Sequence, residues 1–247
     1  MSDTDRPGPA TAVGAPMLEL RGVRAAYGRI EVLHGVDLAV GVGEVVALLG
    51  PNGAGKSTTL AVASGQHRPL AGCVHLAGRH VNGVSADRLT RAGLCTIPEG
   101  RGIFRRLTVR ENLAMASYGG VPAAAIVERA VARFPRLGER IDQVAGTMSG
   151  GEQQMLAIAR GLATEPALLL IDELSMGLAP LIVAELYELV AGIAHDGVSI
   201  LVVEQFARTV LGVADRAVIM QSGRVVASGA PADVEAELSA AYLGATP

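Results

Sequence analysis

Two periods of apolar residues divide the chain. Leu18–Val23 alternates apolar and polar positions, and Val36–Val40 continues the alternation after a turn, which predicts two half-buried strands. Glu44–Leu49 (EVVALL) is a short apolar strand running into the glycine-rich GPNGAGKST, and a helix is predicted from Lys56 to about Ser64, stopped by Gly65. Cys73–Leu76 and Arg79–Val81 flank Ala77-Gly78 as a hairpin would, and Leu94–Ile97 is an apolar strand ended by Pro98.

Beyond Gly100 the pattern becomes helical. Thr108-Val-Arg-Glu111 has the spacing of a capping box and opens a helix to about Tyr118; Ala123–Phe134 is a second helix. Ser149-Gly-Gly-Glu152 repeats the capping-box spacing ahead of an Ala/Leu/Ile/Met-rich helix to about Ala163. Strand Ala167–Ile171 is wholly apolar and is predicted to be buried on both faces. A helix (about Pro180–Ala194), a strand (Val198–Val203), a helix (about Phe206–Val213) and the strands Arg216–Gln221 and Arg224–Ala227 complete the chain. Strands alternating with helices predict an α/β fold with a mostly parallel sheet. Residues 100–165 interrupt the alternation and are expected to form a helical subdomain on a core of 17–99 and 166–247, with 1–16 as a flexible tail.

Composition narrows the function classes. The 247 residues are 50% apolar and 18% charged, enough for a large core and unlike a disordered chain. A net charge of −3 gives no general attraction to nucleic acid. Two cysteines, Cys73 and Cys95, with no secretory leader pattern, predict no disulfide framework and fit a reducing cytosol. No stretch reaches the ~18 uninterrupted apolar residues of a membrane span, so any work at a membrane is expected to go through a partner.

Candidate chemistry starts at Gly50-Pro51-Asn52-Gly53-Ala54-Gly55-Lys56-Ser57-Thr58. Gly-x-x-x-x-Gly-Lys-Ser between a strand and a helix is the phosphate loop: backbone N–H groups face phosphate oxygens, Lys56 supplies a point charge, and Ser57 is a ligand for Mg²⁺. With 31 glycines and one lysine in the chain, a chance match is about one in a thousand. The other 20 of the 21 Lys plus Arg are arginine. The remaining lysine is therefore expected to sit where a compact ammonium is needed and a planar guanidinium does not fit. Leu168-Leu-Leu-Ile-Asp172-Glu173 ends a buried strand in two carboxylates. Ligands in parallel sheets sit beyond the strand carboxyl ends, so Asp172 is expected to hold Mg²⁺ and Glu173 to orient and deprotonate water. The alternative is a solvated strand end.

Met148-Ser149-Gly150-Gly151-Glu152-Gln153-Gln154 offers a second anion site at a helix start, one that a single nucleotide in the first loop does not need. These residues resemble the LSGGQ signature of ATP-binding-cassette (ABC) proteins, and the helix QQMLAIARGLATEPALLLIDE matches that family into the apolar strand. The resemblance spans about Met17 to Gly229. It implies a P-loop α/β cassette with an antiparallel N-terminal sheet and a helical subdomain. It also implies ATP and Mg²⁺ as ligands and two cassettes paired head to tail, Ser149–Glu152 of one facing the γ-phosphate held by the other. Tyr27 falls where the family stacks an aromatic on adenine, a core tyrosine being the alternative.

Glu99, in IPEGRGIF, stands where most cassettes have glutamine; ionised, it cannot donate a hydrogen bond, and the resemblance puts it at Mg²⁺ or water. Gln205, in LVVEQF, replaces the usual switch histidine and can donate to a γ-phosphate but not take up a proton. Glu99 and Gln205, with SMGLAP and the terminal Ala241-Tyr-Leu-Gly244, make the chain similar to ATP-binding subunits that import branched-chain amino acids and related solutes such as urea and amides, although Leu174 and Phe206 are less usual even there. That resemblance implies permease subunits, an external solute-binding protein and a peripheral place on the cytoplasmic membrane face. Export of lipid or polysaccharide is the rival within the class, and a soluble non-transport ABC ATPase the rival outside it. The cluster Arg101, Arg105, Arg106, Arg110 is either a solvated face or, as the resemblance implies, part of a permease-binding surface. The histidines His34, His67, His75, His80 and His195 show no metal spacing and are expected on the surface or in loops; Cys73 and Cys95 are expected as small core residues.

Overall fold

The computed structural model describes residues 14–100, 102–205, 207–234 and 237. Residues 1–13 of the expected tail, Arg101, Phe206 and the terminal Ala241–Gly244 segment lie outside the described residues. Strands β1 (Leu18–Tyr27) and β2 (Ile30–Val40) form an antiparallel hairpin, and β4 (Ala71–Leu76) and β5 (Arg79–His80) extend it to a four-stranded sheet of order β2-β1-β4-β5. The strand read at Leu18–Val23 runs on to Tyr27, but its alternation is interrupted: the register shifts between Leu20 and Val23, so that Leu18 and Leu20 before the irregularity and Val23 and Ala25 after it all turn into the core.

The larger sheet has the order β10-β9-β3-β8-β7-β6. β3 (Val45–Leu49), β6 (Leu94–Ile97), β7 (Leu168–Asp172), β8 (Ser199–Glu204) and β9 (Arg216–Gln221) run parallel, and β10 (Arg224–Gly229) turns back on β9. Both faces are covered, which is why these strands read as uninterrupted apolar runs. Ala47, Ile171, Val202 and Ile219 pack on one side with Leu156, Ile158, Leu186 and Val190 from the helical half. Val46, Leu170, Leu201 and Val218 pack on the other with Leu20, Leu33 and Leu60. Each of the Val, Leu and Ile side chains among these contributes about 1.5–3 kcal/mol when fully buried.

The helices are α1 (Lys56–Ala63), α2 (Ala86–Arg91), α3 (Val109–Ala114), α4 (Ala123–Arg133), α5 (Pro135–Gly138), α6 (Gly150–Leu162), α7 (Pro180–His195) and α8 (Ala207–Leu211). Both capping boxes form. Thr108 and Ser149 each accept the N–H of the glutamate three residues on, and that glutamate accepts the cap residue's N–H in return. The helix expected through Tyr118 instead tightens to a 3₁₀ stretch after Ala114. Short α2 and α5 carry no long apolar period and were not anticipated by the pattern. His80 is exposed, as expected of a surface residue, whereas His34 and His75 are half-buried on strands, a departure from the expected surface or loop positions, and Cys73 is half-buried on β4 outside the two core clusters. Among the described residues no helix is long and apolar enough to cross a membrane.

Register fixes the site. Leu49 on β3 lies opposite Glu204 on β8, and Asp172 on β7 opposite Val203. The carboxyl ends of three adjacent strands therefore bring Gly50, Glu173 and Gln205 to one rim, where ligands bind in parallel sheets.

Candidate nucleotide-binding and hydrolytic site

The phosphate loop is held from behind. A Cβ on Gly50 (φ 153°) would run into the Met220 carbonyl, and one on Gly55 (φ 103°) would stand 2.8 Å from Leu33 Cδ2. Glycine at both positions lets β2 and β9 support the turn directly. Gly223 N–H donates to the Ala54 carbonyl (2.9 Å), and Ala54 N–H to Pro51 (3.2 Å). Asn52, Gly53 and Ser57 are exposed, Pro51 is half-buried, and Ala54, Lys56 and Thr58 are buried. α1 begins at Lys56 without a side-chain cap, so its first N–H groups remain available to an anion.

Lys56 bends back over its own loop. Its Nζ donates to the carbonyls of Gly50 (2.7 Å) and Pro51 (3.1 Å), and the residue is 5% exposed. Burial lowers its pKa, against the opposing pull of Glu173, Asp172 and Glu204. A guanidinium would not fit so enclosed a niche, in keeping with the survival of a single lysine.

Asp172 faces this loop and hydrogen-bonds the Ser57 hydroxyl. Burial, then the charges of Glu173 and Glu99, push its pKa up to about 6 despite Lys56 and Ser57. Its Oδ1 is buried with no hydrogen-bond partner. Glu173 is likewise raised, by burial first and Glu99 next, with Lys56 opposing. Its backbone sits at φ 49°, the left-handed region, and its N–H donates to the Val203 carbonyl (2.9 Å). Asp172 and Glu173 thus face one ammonium beside the Ser57 hydroxyl and an unpartnered oxygen, with Glu99 acting on both carboxylates through its charge, and among the described residues no three acidic, His or Cys side chains form a metal cluster by themselves. That set of hard oxygen donors with surplus negative charge fits a divalent cation such as Mg²⁺.

The structure brings together Lys56, Ser57, Glu99, Asp172 and Glu173, with Gln205 half-buried just past the end of β8. Ser149–Glu152 instead form the start of α6. Ser149 is exposed, Gly150 and Glu152 are half-buried, and Glu152 pairs with Arg140 (2.5 Å) and accepts from the Ser149 N–H (2.9 Å), which holds its pKa down against burial. Gly151 faces inward, and a Cβ there would strike Ile182 Cγ2 of α7. Tyr27 is 52% exposed, which removes the core alternative, and its ring lies 4.5 Å from that of His67. Three contributors escaped the sequence reading: His67, the Met220–Gly223 support, and the buried Glu204. Glu204 did carry a signal, because Ile200–Glu204, like Leu168–Asp172, is an apolar run ending in an acid.

Fold and rim together define a phosphate-loop nucleoside triphosphatase with a second helix-start motif on a separate helical face. The profile of the ABC transporter family matches residues 33–175. Over 232 residues the chain is 42% identical to the high-affinity branched-chain amino acid transport ATP-binding protein BraG of Pseudomonas aeruginosa, covering 92% of this chain and all of that one. It is 31% identical to the high-affinity branched-chain amino acid transport ATP-binding protein LivG of Salmonella typhimurium, covering 93% of this chain and 98% of LivG. The ADP conformation of the ABC transporter cassette MJ1267 superposes with a TM-score of 0.83 at 25% identity, covering 94% of this chain and all of that one. The chain belongs to the ABC transporter ATP-binding family and is an ATP-binding ATPase of that class.

Proposed function

We propose that this chain is the ATP-hydrolysing subunit of an importer for branched-chain or similar hydrophobic amino acids. The end-to-end 42% identity with BraG carries the reading. The whole span 17–247 then acts as one cassette, paired with a second cassette, bound to permease subunits and served by an external solute-binding protein. Its place is the cytoplasmic face of the membrane, and exposed Phe104, Arg105 and Arg106 suit a permease contact.

The loop residues Gly50–Thr58 bind the phosphates, Lys56 exchanging its two carbonyl partners for phosphate oxygens, and Tyr27 offers a half-exposed ring to adenine. Ser57 and Asp172, with Glu99 beside them, would hold Mg²⁺, which neutralises charge on the phosphates when bound. Glu173 orients the attacking water and accepts its proton as the water oxygen bonds the γ-phosphorus and the bond to ADP breaks. Its raised pKa improves it as an acceptor. Gln205 donates its amide to the γ-phosphate. Ser149 and Gly150, with the Gly151 backbone, close the site of the partner cassette, and Glu152 fixes that turn.

Deleting this cassette is expected to abolish ATP-driven leucine, isoleucine and valine uptake, with recovery by the parent gene. Glu173→Gln is expected not to restore it, while still binding Mg·ATP and eluting as a dimer on gel filtration with ATP and Mg²⁺. Undiminished uptake after deletion overturns the solute assignment, and parent-rate phosphate release by Glu173→Gln overturns the role of Glu173.

A further inference from the structure

β8 ends in a carboxylate withdrawn from solvent. Glu204 is 1% exposed, opposite Leu49 of the strand that feeds the phosphate loop and one residue beyond Val203, whose carbonyl accepts the Glu173 N–H. Burying a carboxylate is unfavourable unless donors replace its water. Here three do. Oε1 accepts the Ser175 backbone N–H (2.9 Å) and the Tyr187 hydroxyl (2.5 Å), and Oε2 accepts the Ser175 hydroxyl (2.8 Å). Bonds of this charge-assisted kind are strong and directional.

The partners are telling. Ser175 follows Glu173 by two residues, and between them Leu174 is buried at 1% exposure. Glu173 itself holds φ 49°, a conformation disfavoured for a glutamate and kept only where neighbours enforce it. Tyr187 is buried on α7, and the first turn of the same helix carries Ile182, which packs on Gly151 at the start of α6.

We propose that Glu204 is a positioning residue for ATP hydrolysis. Through Ser175 and Tyr187 it ties the segment after β7 to β8 and α7, and so holds Glu173 in the left-handed backbone from which its carboxylate reaches the attacking water. This rests on the reading of Glu173 as proton acceptor. Glu204 also acts on Lys56 and Glu173 through its charge. A role in field alone is altered by Glu204→Gln but not by Tyr187→Phe or Ser175→Ala, which leave the charge in place.

The experiment compares Tyr187→Phe, Ser175→Ala, Ser175→Thr and Glu204→Gln for steady-state hydrolysis, ATP affinity and thermal unfolding, each in the parent and in a Glu173→Gln background. Tyr187→Phe and Ser175→Ala are expected to lower kcat roughly tenfold to a hundredfold, with KM and ATP affinity within about twofold of the parent. Ser175→Thr, which keeps the hydroxyl, is expected to recover most of that loss. In the Glu173→Gln background none of them should lower the residual rate further, because all act through the same group. Parent-like kcat in Tyr187→Phe and Ser175→Ala overturns the proposal, as does a loss of affinity matching the loss of kcat, or additive losses with Glu173→Gln. Should Glu204→Gln fail to fold, the two milder variants decide alone. Full turnover by Glu173→Gln by itself instead removes the proton-acceptor assignment, a result distinguishable from failure of the network.

Discussion

At the scale of single residues the site is dominated by charges that do not balance. Asp172 shows the consequence, since burial, Glu173 and Glu99 raise it from 3.8 to about 6. Between those values the folded chain binds more protons than the unfolded one, so this group makes the nucleotide-free protein less stable as pH rises through the window. A divalent cation needs the ionised form and must expel that proton, so its affinity moves the opposite way, rising with pH through about 6. The Mg²⁺-dependent part of ATP binding is accordingly expected to weaken on going from pH 7.5 to 5.5. Asp172→Asn should abolish that pH dependence and should flatten the fall in unfolding temperature between pH 4 and 6. Binding titrations with and without Mg²⁺ at both pH values check this; an identical Mg²⁺ contribution at both rules out Asp172 as the titrating ligand. Lys56, Ser57, Asp172 and Glu173 were legible in the sequence because each belongs to a contiguous motif at a strand end. Glu204 showed only as an acid at the end of an apolar strand; its role was not legible, since its partners Ser175 and Tyr187 lie 29 and 17 positions away and only the fold brings them together.

Whole elements were legible where a local rule decides them. The parallel strands announced themselves as unbroken apolar runs, and two capping boxes placed the starts of α3 and α6 to the residue. α2 and α5 obey no such rule: at 6 and 4 residues they are too short to show a period and exist through packing of Leu89 and Leu137. Packing between elements also changes the meaning of one motif residue. Gly151 reads from the sequence as a glycine that admits a phosphate, yet the space a side chain would take is filled by Ile182 of α7. Its backbone φ is not in the left-handed region, so the obstacle is steric. Gly151→Ala is expected to destabilise the isolated cassette by about 1–3 kcal/mol, the usual range for overpacking. Adding Ile182→Ala should recover much of that loss, which urea denaturation of the single and double variants measures. Strict additivity of the two substitutions would show that the contact does not limit the site. An aspartate at Gly151 would therefore disturb the fold as well as any phosphate contact, and Ser149 is the cleaner probe.

The whole molecule places the phosphate loop and the Ser149 helix start on different parts of the chain, and under the proposed reading this decides how a working site would be assembled. Lys56 sits among Asp172, Glu173 and Glu204 at the sheet rim, whereas Ser149 caps α6 and its Glu152 partner is engaged with Arg140. If two copies pair about a twofold axis, each composite site takes the loop from one copy and Ser149 from the other. Lys56→Arg disables the loop by placing a bulky fork in a niche that is 5% exposed. Ser149→Asp keeps the helix capped, aspartate being as good a cap as serine, while setting a negative charge where the partner's phosphate would lie. Each variant alone is expected to lose turnover. An equal mixture should regain up to about a quarter of the parent rate, because half of the dimers are mixed and each of those carries one site with both residues intact. Phosphate release measured across mixing ratios should peak near equality. A mixture as inactive as its components, with mixed dimers demonstrated by differently tagged copies, would assign Lys56 and Ser149 to the same chain's site and remove the head-to-tail arrangement. Where the tagged copies do not associate, the obligatory partner is a different cassette, and repeating the test with Ser149→Asp in this chain and the loop variant in that partner reads the same geometry.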